Sequence, residues 1–340
     1  MEHTFEEEQV QNTADDAILS KISAAKLGYF NDEYIGVFGS AFSNHSSAHK
    51  RSPLINRGYY SRVAGVQEII DQFLHLYGKH GITQIVSLGG GFDTTYFRRL
   101  EKDPSSAPTL YIELDYERVC RTKANIIRKN EIFTKLFSAN ELNRSPECSD
   151  SELHCGGYHL LSADLRYPEQ VQTALEKCNV DWNQPILFLS ECVLVYMHAH
   201  ESSPLINWIS SQIHESNGMG MFVIYEQIRP DDPFGRVMVE NLQSRGCPLL
   251  SLSNHPSLES QEERFKQLGW TYSHARDMND IYLNVIPTTD RLRAEKLEMF
   301  DEFEEWFLIQ AHYCICVSAI TSQRLDVVQD MSFFQQKGTI

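Results

Sequence analysis

The chain lacks an excess of positive charge: 30 Lys and Arg stand against 46 Asp and Glu, a formal charge of −16 over 340 residues. That balance excludes unspecific binding to nucleic acid or to an anionic membrane surface, both of which need a cationic face. A long apolar run is also missing. The longest, at residues 185–197, is interrupted by Ser190 and Glu191, whereas a membrane-spanning helix needs about 20 apolar residues. The acidic start MEHTFEEEQV has none of the basic and apolar regions of a secretory signal. The eight cysteines form no disulfide or zinc framework. Their one mixed cluster, Cys148, His154, Cys155 and His159, matches no standard zinc spacing and reads as a variable loop. Cys192 and the Cys314/Cys316 pair lie in apolar strand-like runs, where a free thiol behaves as a small hydrophobe. The expectation is a soluble, reduced, cytoplasmic protein with no metal.

Two nucleotide-binding patterns are absent as well: G-x-G-x-x-G, and the lysine of a phosphate-binding P-loop. What is present is residues 84–95, QIVSLGGGFDTT. Ile85, Val86 and Leu88 read as a buried strand, and Gly89, Gly90 and Gly91 allow a sharp turn with no Cβ in the way of a ligand. Asp93, Thr94 or Thr95 then caps a helix beginning near Tyr96. A cofactor without a phosphate chain suits such a loop better than a dinucleotide does.

Three further strand ends strengthen that reading. Residues 110–114 lead into Asp115, 24 residues after Gly91, near the spacing at which an acid on the second strand accepts from ribose hydroxyls. Residues 158–162 lead into Asp164 and Leu165, and residues 185–190 lead into Glu191. In an open α/β sheet all of these fall in the crevice beyond the carboxyl ends of the strands. Asp164 would accept from an adenine amino group with Leu165 against the ring, and Glu191 would face the charged end of the cofactor.

Taken together, QIVSLGGGFDTTYFRRL, YIELDY, SADLR, LSECVLVYM, IYEQ and PLINRGYYSRV resemble the leucine carboxyl methyltransferase family, in matching order from about residue 15 to about 320. The resemblance implies an α/β fold of the class I S-adenosylmethionine-dependent methyltransferases: a Rossmann-like, seven-stranded, mostly parallel sheet. It implies methyl esterification of the C-terminal leucine of the type 2A protein phosphatase catalytic subunit, a reaction that regulates phosphatase holoenzyme assembly. It also implies that Lys21, Arg62, Gly89, Asp115, Asp164, Leu165 and Glu191 contact S-adenosylmethionine, and that Arg62 and Tyr196 border the site of methyl transfer. LGGG stands where related sequences commonly have LGAG, and residues 138–157 have no counterpart, which leaves a surface loop.

The chemistry fits the absence of a Ser/His/Asp or Cys/His constellation. A terminal carboxyl has a pKa of about 3.3–3.7, so it is already an anion at neutral pH and needs no general base. It does need fixed donors, and a guanidinium such as Arg62 presents two parallel N–H groups to a carboxylate, the substrate's or the cofactor's. Arg62 is expected in the first turn of a helix over residues 62–79, where its charge opposes the dipole and is better explained by a ligand. Lys50, Arg51, Arg57 and Arg62 would form a local basic patch for the phosphatase tail. Tyr196 either donates a hydrogen bond to the substrate or anchors a strand-to-helix turn.

Residues 1–83 are expected to form a helical cover, from which Lys21 reaches the cofactor's carboxylate. Residues 84–340 form the core, with a helical insertion at about 228–268. Inside it, helices are expected at 234–242 and 260–268, the second opened by a Ser260/Glu263 capping box. Strands at 220–225, 270–273 and 313–319 complete the sheet. Three other functions compete: the related carboxyl methyltransferase of tRNA wybutosine modification, a methyltransferase for a small free acid, and a non-enzymatic binder of the phosphatase tail. The first is disfavoured by the acidity and by the lack of the repeat region expected of that branch.

Overall fold

The computed structural model describes residues 5–40, 50–78, 81–138, 142, 149–321 and 331–335. Its centre is β1 (Gln84–Leu88), every residue of which is buried. The apolar, glycine-terminated segment read as a strand is therefore the middle of the sheet. Around it are β2 (Leu110–Asp115), β3 (Leu153–Cys155), β4 (Tyr158–Ser162), β5 (Ile186–Glu191), β6 (Met219–Gln227), β7 (Tyr272–Asp277) and β8 (Tyr313–Thr321), in the order β3-β4-β2-β1-β5-β6-β8-β7. β1, β2, β4, β5 and β6 run parallel; β8 is antiparallel to both β6 and β7. Seven of these strands match the expected sheet. The eighth, β3, is a correction: part of the stretch at 138–157 pairs antiparallel with β4 across the two-residue turn Gly156-Gly157, with Gly156 at φ +56°.

Helices cover both faces, as buried parallel strands require. On one face α1 (Phe5–Lys26), α2 (Ile35–Ser40), α3 (Pro53–Tyr77), α4 (Thr95–Lys102) and α5 (Glu117–Lys129) bury Ile22, Phe38, Ile69, Phe97 and Ile127 with Ile85, Tyr111, Leu187 and Val223 of the sheet. On the other, α6 (Pro168–Lys177) follows β4, α7 (Ala199–Glu215) follows β5, and α9 (Leu258–Gln267) comes after α8 (Pro233–Ser244), a helix that itself buries only Gly235. From these, Leu175, Ile209 and Phe265 pack with Val86, Ile112, Phe188 and Phe222.

Three boundaries differ from expectation. α3 begins at Pro53, not Arg62, with Ser52 as its cap. Its first turns bury Asn56, Arg57 and Ser61 in place of an apolar stripe, so hydrophobic periodicity does not reveal them. α9 starts at Leu258, and its capping box is Ser257/Ser260: the Ser260 hydroxyl accepts from Ser257 N at 2.8 Å and the Ser257 hydroxyl from Ser260 N at 3.2 Å. β7 lies two residues later than expected; Trp270 stays outside it and donates from Nε1 to Ile206 O at 3.4 Å. No helix among the described residues is long and apolar enough to cross a membrane.

Candidate active site

The parallel strands end on one side of the sheet, and the loops that leave them line a cleft of about 1290 Å³ under α1 and α3. A drug-sized ligand needs roughly 300–1,000 Å³, so this space admits a cofactor together with the end of a second chain.

The glycine loop is built to be narrow. Gly89 and Gly91 have φ of +67° and +54°, and a Cβ on Gly89 would stand 2.5 Å from Val193 Cγ2. Gly90 is different, since its Cβ would meet only Ser87 Oγ at 3.1 Å and the Glu113 side chain at 3.4 Å. Gly90→Ala is therefore expected to bind cofactor within about threefold of wild type. Gly89→Ala, forced into a left-handed conformation against Val193, should lose at least about tenfold, in line with a strain of roughly 1–3 kcal/mol. Equal affinities by calorimetry would show that this loop does not shape the site.

Asp115, at the end of β2, accepts from Gly91 N with Oδ2 and from Tyr116 N with Oδ1, both at 2.7 Å. Burial raises its pKa; the two backbone N–H groups and Lys123 pull the other way. Beside it, Asp93 accepts at 2.9 Å from the N–H of Thr95, the first residue of α4, while the cap position itself is Thr94, whose side chain makes no cap bond; Asp93 also meets Lys21 Nζ of α1 at 3.6 Å. Burial pushes the Asp93 carboxyl up, yet the Lys21 and Lys123 cations hold it well below the usual range. Lys123 Nζ in turn donates to Asp93 O at 2.7 Å and pairs with Glu113, with both side chains buried.

Across the cleft, Arg62 donates from Nε to Glu191 Oε2 at 2.7 Å and from Nη2 to Glu191 O at 3.4 Å. Its guanidinium lies 4.7 Å from the centre of the Tyr225 ring, and Tyr225 stacks on Tyr313 at 5.4 Å. Burial pulls the Arg62 pKa down, but Glu191 more than offsets it and keeps the group charged. Cys192, next after β5, sits at φ +55°, a strained conformation for a residue with a Cβ, and donates its N–H to Tyr225 O at 2.7 Å. The short 3₁₀ turn Leu194–Tyr196 follows, tied down by Val195 N donating to the buried Glu226 carboxylate at 2.8 Å. Burial raises the Tyr196 pKa well above the ordinary range, so its hydroxyl keeps its proton.

Sequence comparison decides what such a cleft belongs to. The leucine carboxyl methyltransferase family matches residues 4–210. A leucine carboxyl methyltransferase 1 homolog of Arabidopsis thaliana is 38% identical over 329 residues, covering 97% of this chain and 94% of its own length. Leucine carboxyl methyltransferase 1 of Rattus norvegicus is 33% identical and covers 94% of this chain and 92% of its own.

The chain belongs to the leucine carboxyl methyltransferase family.

The expected fold class and S-adenosylmethionine-dependent carboxyl methyl transfer accordingly hold for it. The family also includes longer proteins. The tRNA wybutosine-synthesizing protein 4 of Homo sapiens is 37% identical over 91% of this chain, which spans 44% of that protein.

In this leucine carboxyl methyltransferase, Lys21, Arg62, Gly89, Asp115, Asp164, Leu165, Glu191 and Tyr196 all line the one cleft. Two of their settings depart from expectation. Arg62 lies in the third turn of α3, so the dipole argument for it falls away; its partner is Glu191. Asp164 is clamped by Arg166, whose Nη2 donates to Oδ2 at 2.6 Å and whose Nε donates to Oδ1 at 3.0 Å. Lys21 stands at the cleft on α1, the place the resemblance implies for it, with its side chain 14% exposed.

The expected basic patch does not form as one surface. Arg57 is buried with its guanidinium 3.8 Å from the Phe300 ring centre, Arg62 is paired, and Lys50 Nζ meets Glu298 at 3.2 Å. Sequence reasoning also missed Tyr313 and the site role of Asp93. Tyr313 begins β8, and because β8 is antiparallel to β6, opposite Gln227, it is a strand start that reaches the carboxyl-end cleft.

Proposed function

We propose that this chain methylates the C-terminal leucine carboxylate of the type 2A protein phosphatase catalytic subunit, using S-adenosylmethionine held in the cleft. The observation that carries this reading is the partly buried Arg62–Glu191 pair facing Tyr196 and Tyr225, in the same cleft as the Gly89–Asp115 loop. The cradle suits a nucleoside. Its glycines keep Cβ atoms away, and Asp115, with one backbone donor on each oxygen, retains lone pairs for ribose hydroxyls. Asp164 and Leu165 would meet the adenine, Lys21 the cofactor's carboxylate, and Glu191 its charged end. Bound there, the cofactor would supply an electrophilic sulfonium methyl.

The chain's own residues then have to orient and dry the reactants. Arg62 Nη1, free of hydrogen bonds to the described residues, is the donor offered to a leucine carboxylate, and the Tyr196 hydroxyl is a second. Opposite charges cancel as the methyl moves, so excluding water favours the transition state. α1 and α3, which roof the cleft, serve that exclusion. No group on the enzyme has to accept a proton, and the chemistry asks for no metal. The protein would work in the cytoplasm on a protein partner, without nucleic acid or membrane.

Asp115→Ala tests the cradle. It removes charge-assisted hydrogen bonds worth about 1.5–3 kcal/mol, so cofactor affinity should drop roughly 10- to 100-fold while the leucine substrate is affected little. An unchanged affinity would discard the ribose role.

Labelled S-adenosylmethionine with the intact phosphatase subunit, beside the subunit lacking its final leucine, tests the acceptor. Base-labile label on the intact subunit alone is expected. Label on tRNA containing the wybutosine precursor, and none on the phosphatase, would favour the function named for the longer relative instead.

A further inference from the structure

On the far edge of the sheet, His154 of β3 and His159 of β4 are directly opposed in the hairpin ladder, and their Nδ1 atoms stand 2.6 Å apart. Opposed residues of an antiparallel pair share a face. Cys178, the residue that ends α6, closes the group from above that face. One ring nitrogen from each histidine and the Cys178 sulfur all lie within 4.8 Å of one another. Spacings of five and nineteen residues belong to no zinc pattern, so only the fold brings the three together. Of the two cysteines grouped with these histidines in the sequence, Cys155 points to the opposite core, and Cys148 lies outside the described residues.

We propose that His154, His159 and Cys178 bind Zn²⁺ or a similar borderline divalent transition ion, which fastens the β3–β4 hairpin to the end of α6. Two imidazoles and a thiolate are the donor set such ions prefer over Ca²⁺ or Mg²⁺. Among the described residues, Glu152, whose charge acts on His154 and Cys178, is held by Lys177 Nζ at 2.7 Å, so water takes the fourth position. Tetrahedral coordination at about 2.0–2.1 Å would set the two nitrogens about 3.3 Å apart, so the rings need part by less than about 1 Å. Both histidines are partly exposed and give an ion a way in; Cys178 is buried. Burial lowers the pKa of both histidines, that of His159 to about 4, so each offers a lone pair. Burial pushes the Cys178 thiol up to about 12, so coordination releases its proton to water, while the hydrogen between the Nδ1 atoms moves to Nε2. The site lies at the amino end of β4, away from the cleft, so it has no part in methyl transfer.

Titration of the reduced full-length protein with Co²⁺ tests this. One equivalent should bind with a thiolate-to-cobalt charge-transfer band, and Zn²⁺ should abolish the band and raise the thermal midpoint. Cys178→Ser should lose the band, and His159→Ala should weaken binding by at least about 100-fold. If Cys178→Ser does not fold, His154→Ala, altered at a partly exposed position, carries the same test. No cobalt band in the wild type, or a band that survives in these variants, would overturn the proposal and leave a histidine pair that only hydrogen-bonds to itself.

Discussion

Replacing Arg62 with lysine is expected to lower kcat by on the order of 100-fold, with the affinity for S-adenosylmethionine changed only a few-fold. The charge survives; the geometry does not. Arg62 spends Nε and Nη2 on Glu191, at 2.7 and 3.4 Å, and the rigid fork then aims Nη1 in a direction fixed by that pair and by the Tyr225 ring below it. An ammonium is a point donor on a flexible stem and would settle against Glu191 alone, leaving the leucine carboxylate free to turn. Steady-state kinetics with the phosphatase subunit, together with direct cofactor titration, separates the possibilities. A raised cofactor dissociation constant with kcat preserved would move Arg62 to the cofactor's own carboxylate, and near-normal values of both would remove it from the mechanism.

The parts of this site that were legible in the sequence are those that the strand ends present in order. Gly89 to Gly91, Asp115, Asp164, Leu165 and Glu191 each follow an apolar run and fall at the carboxyl end of a parallel strand, so one topological rule gathers them. Arg62 and Lys21 came from the family resemblance, because a cation on a covering helix has no local signature. The first turns of α3 were missed for a related reason: Asn56, Arg57 and Ser61 are buried through polar contacts, such as the Ser61 hydroxyl donating to Gln310 at 2.9 Å. Tyr313 escaped because strand direction, which decides which end of β8 faces the cleft, is a property of the assembled sheet. The His154, His159 and Cys178 group escaped for the same reason. Pairings between distant elements leave no periodicity to read.

Lys123→Met is expected to destabilise the protein by about 3–5 kcal/mol, the cost of leaving one member of a buried ion pair without its partner. Lys123 and Glu113 are almost wholly buried, and Lys123 Nζ also holds Asp93 O at 2.7 Å. Asp93 passes the connection to Lys21 on α1, at 3.6 Å. One ammonium thus links β2 and α5 to the loop on which the helical cover rests, and its removal should loosen cofactor binding as well as the fold.

The pH dependence gives the loss a signature. Burial raises the Glu113 carboxyl from 4.5 to about 7, with Lys123 opposing that rise. Without Lys123 the folded pKa climbs further, while the unfolded value stays near 4.5. A carboxyl raised in this way binds its proton more tightly in the folded state, so it lowers stability as pH rises between the two values. Above about pH 7 the wild-type group is ionised and its contribution is level; the variant's keeps falling. The deficit should therefore widen between pH 7 and 9 in urea unfolding followed by circular dichroism. Adding Glu113→Gln, which removes the stranded carboxylate, should recover about 1–3 kcal/mol and cancel the widening. A single variant within about 1 kcal/mol of wild type at pH 8 would mean that Lys123 does not hold the cover to the sheet.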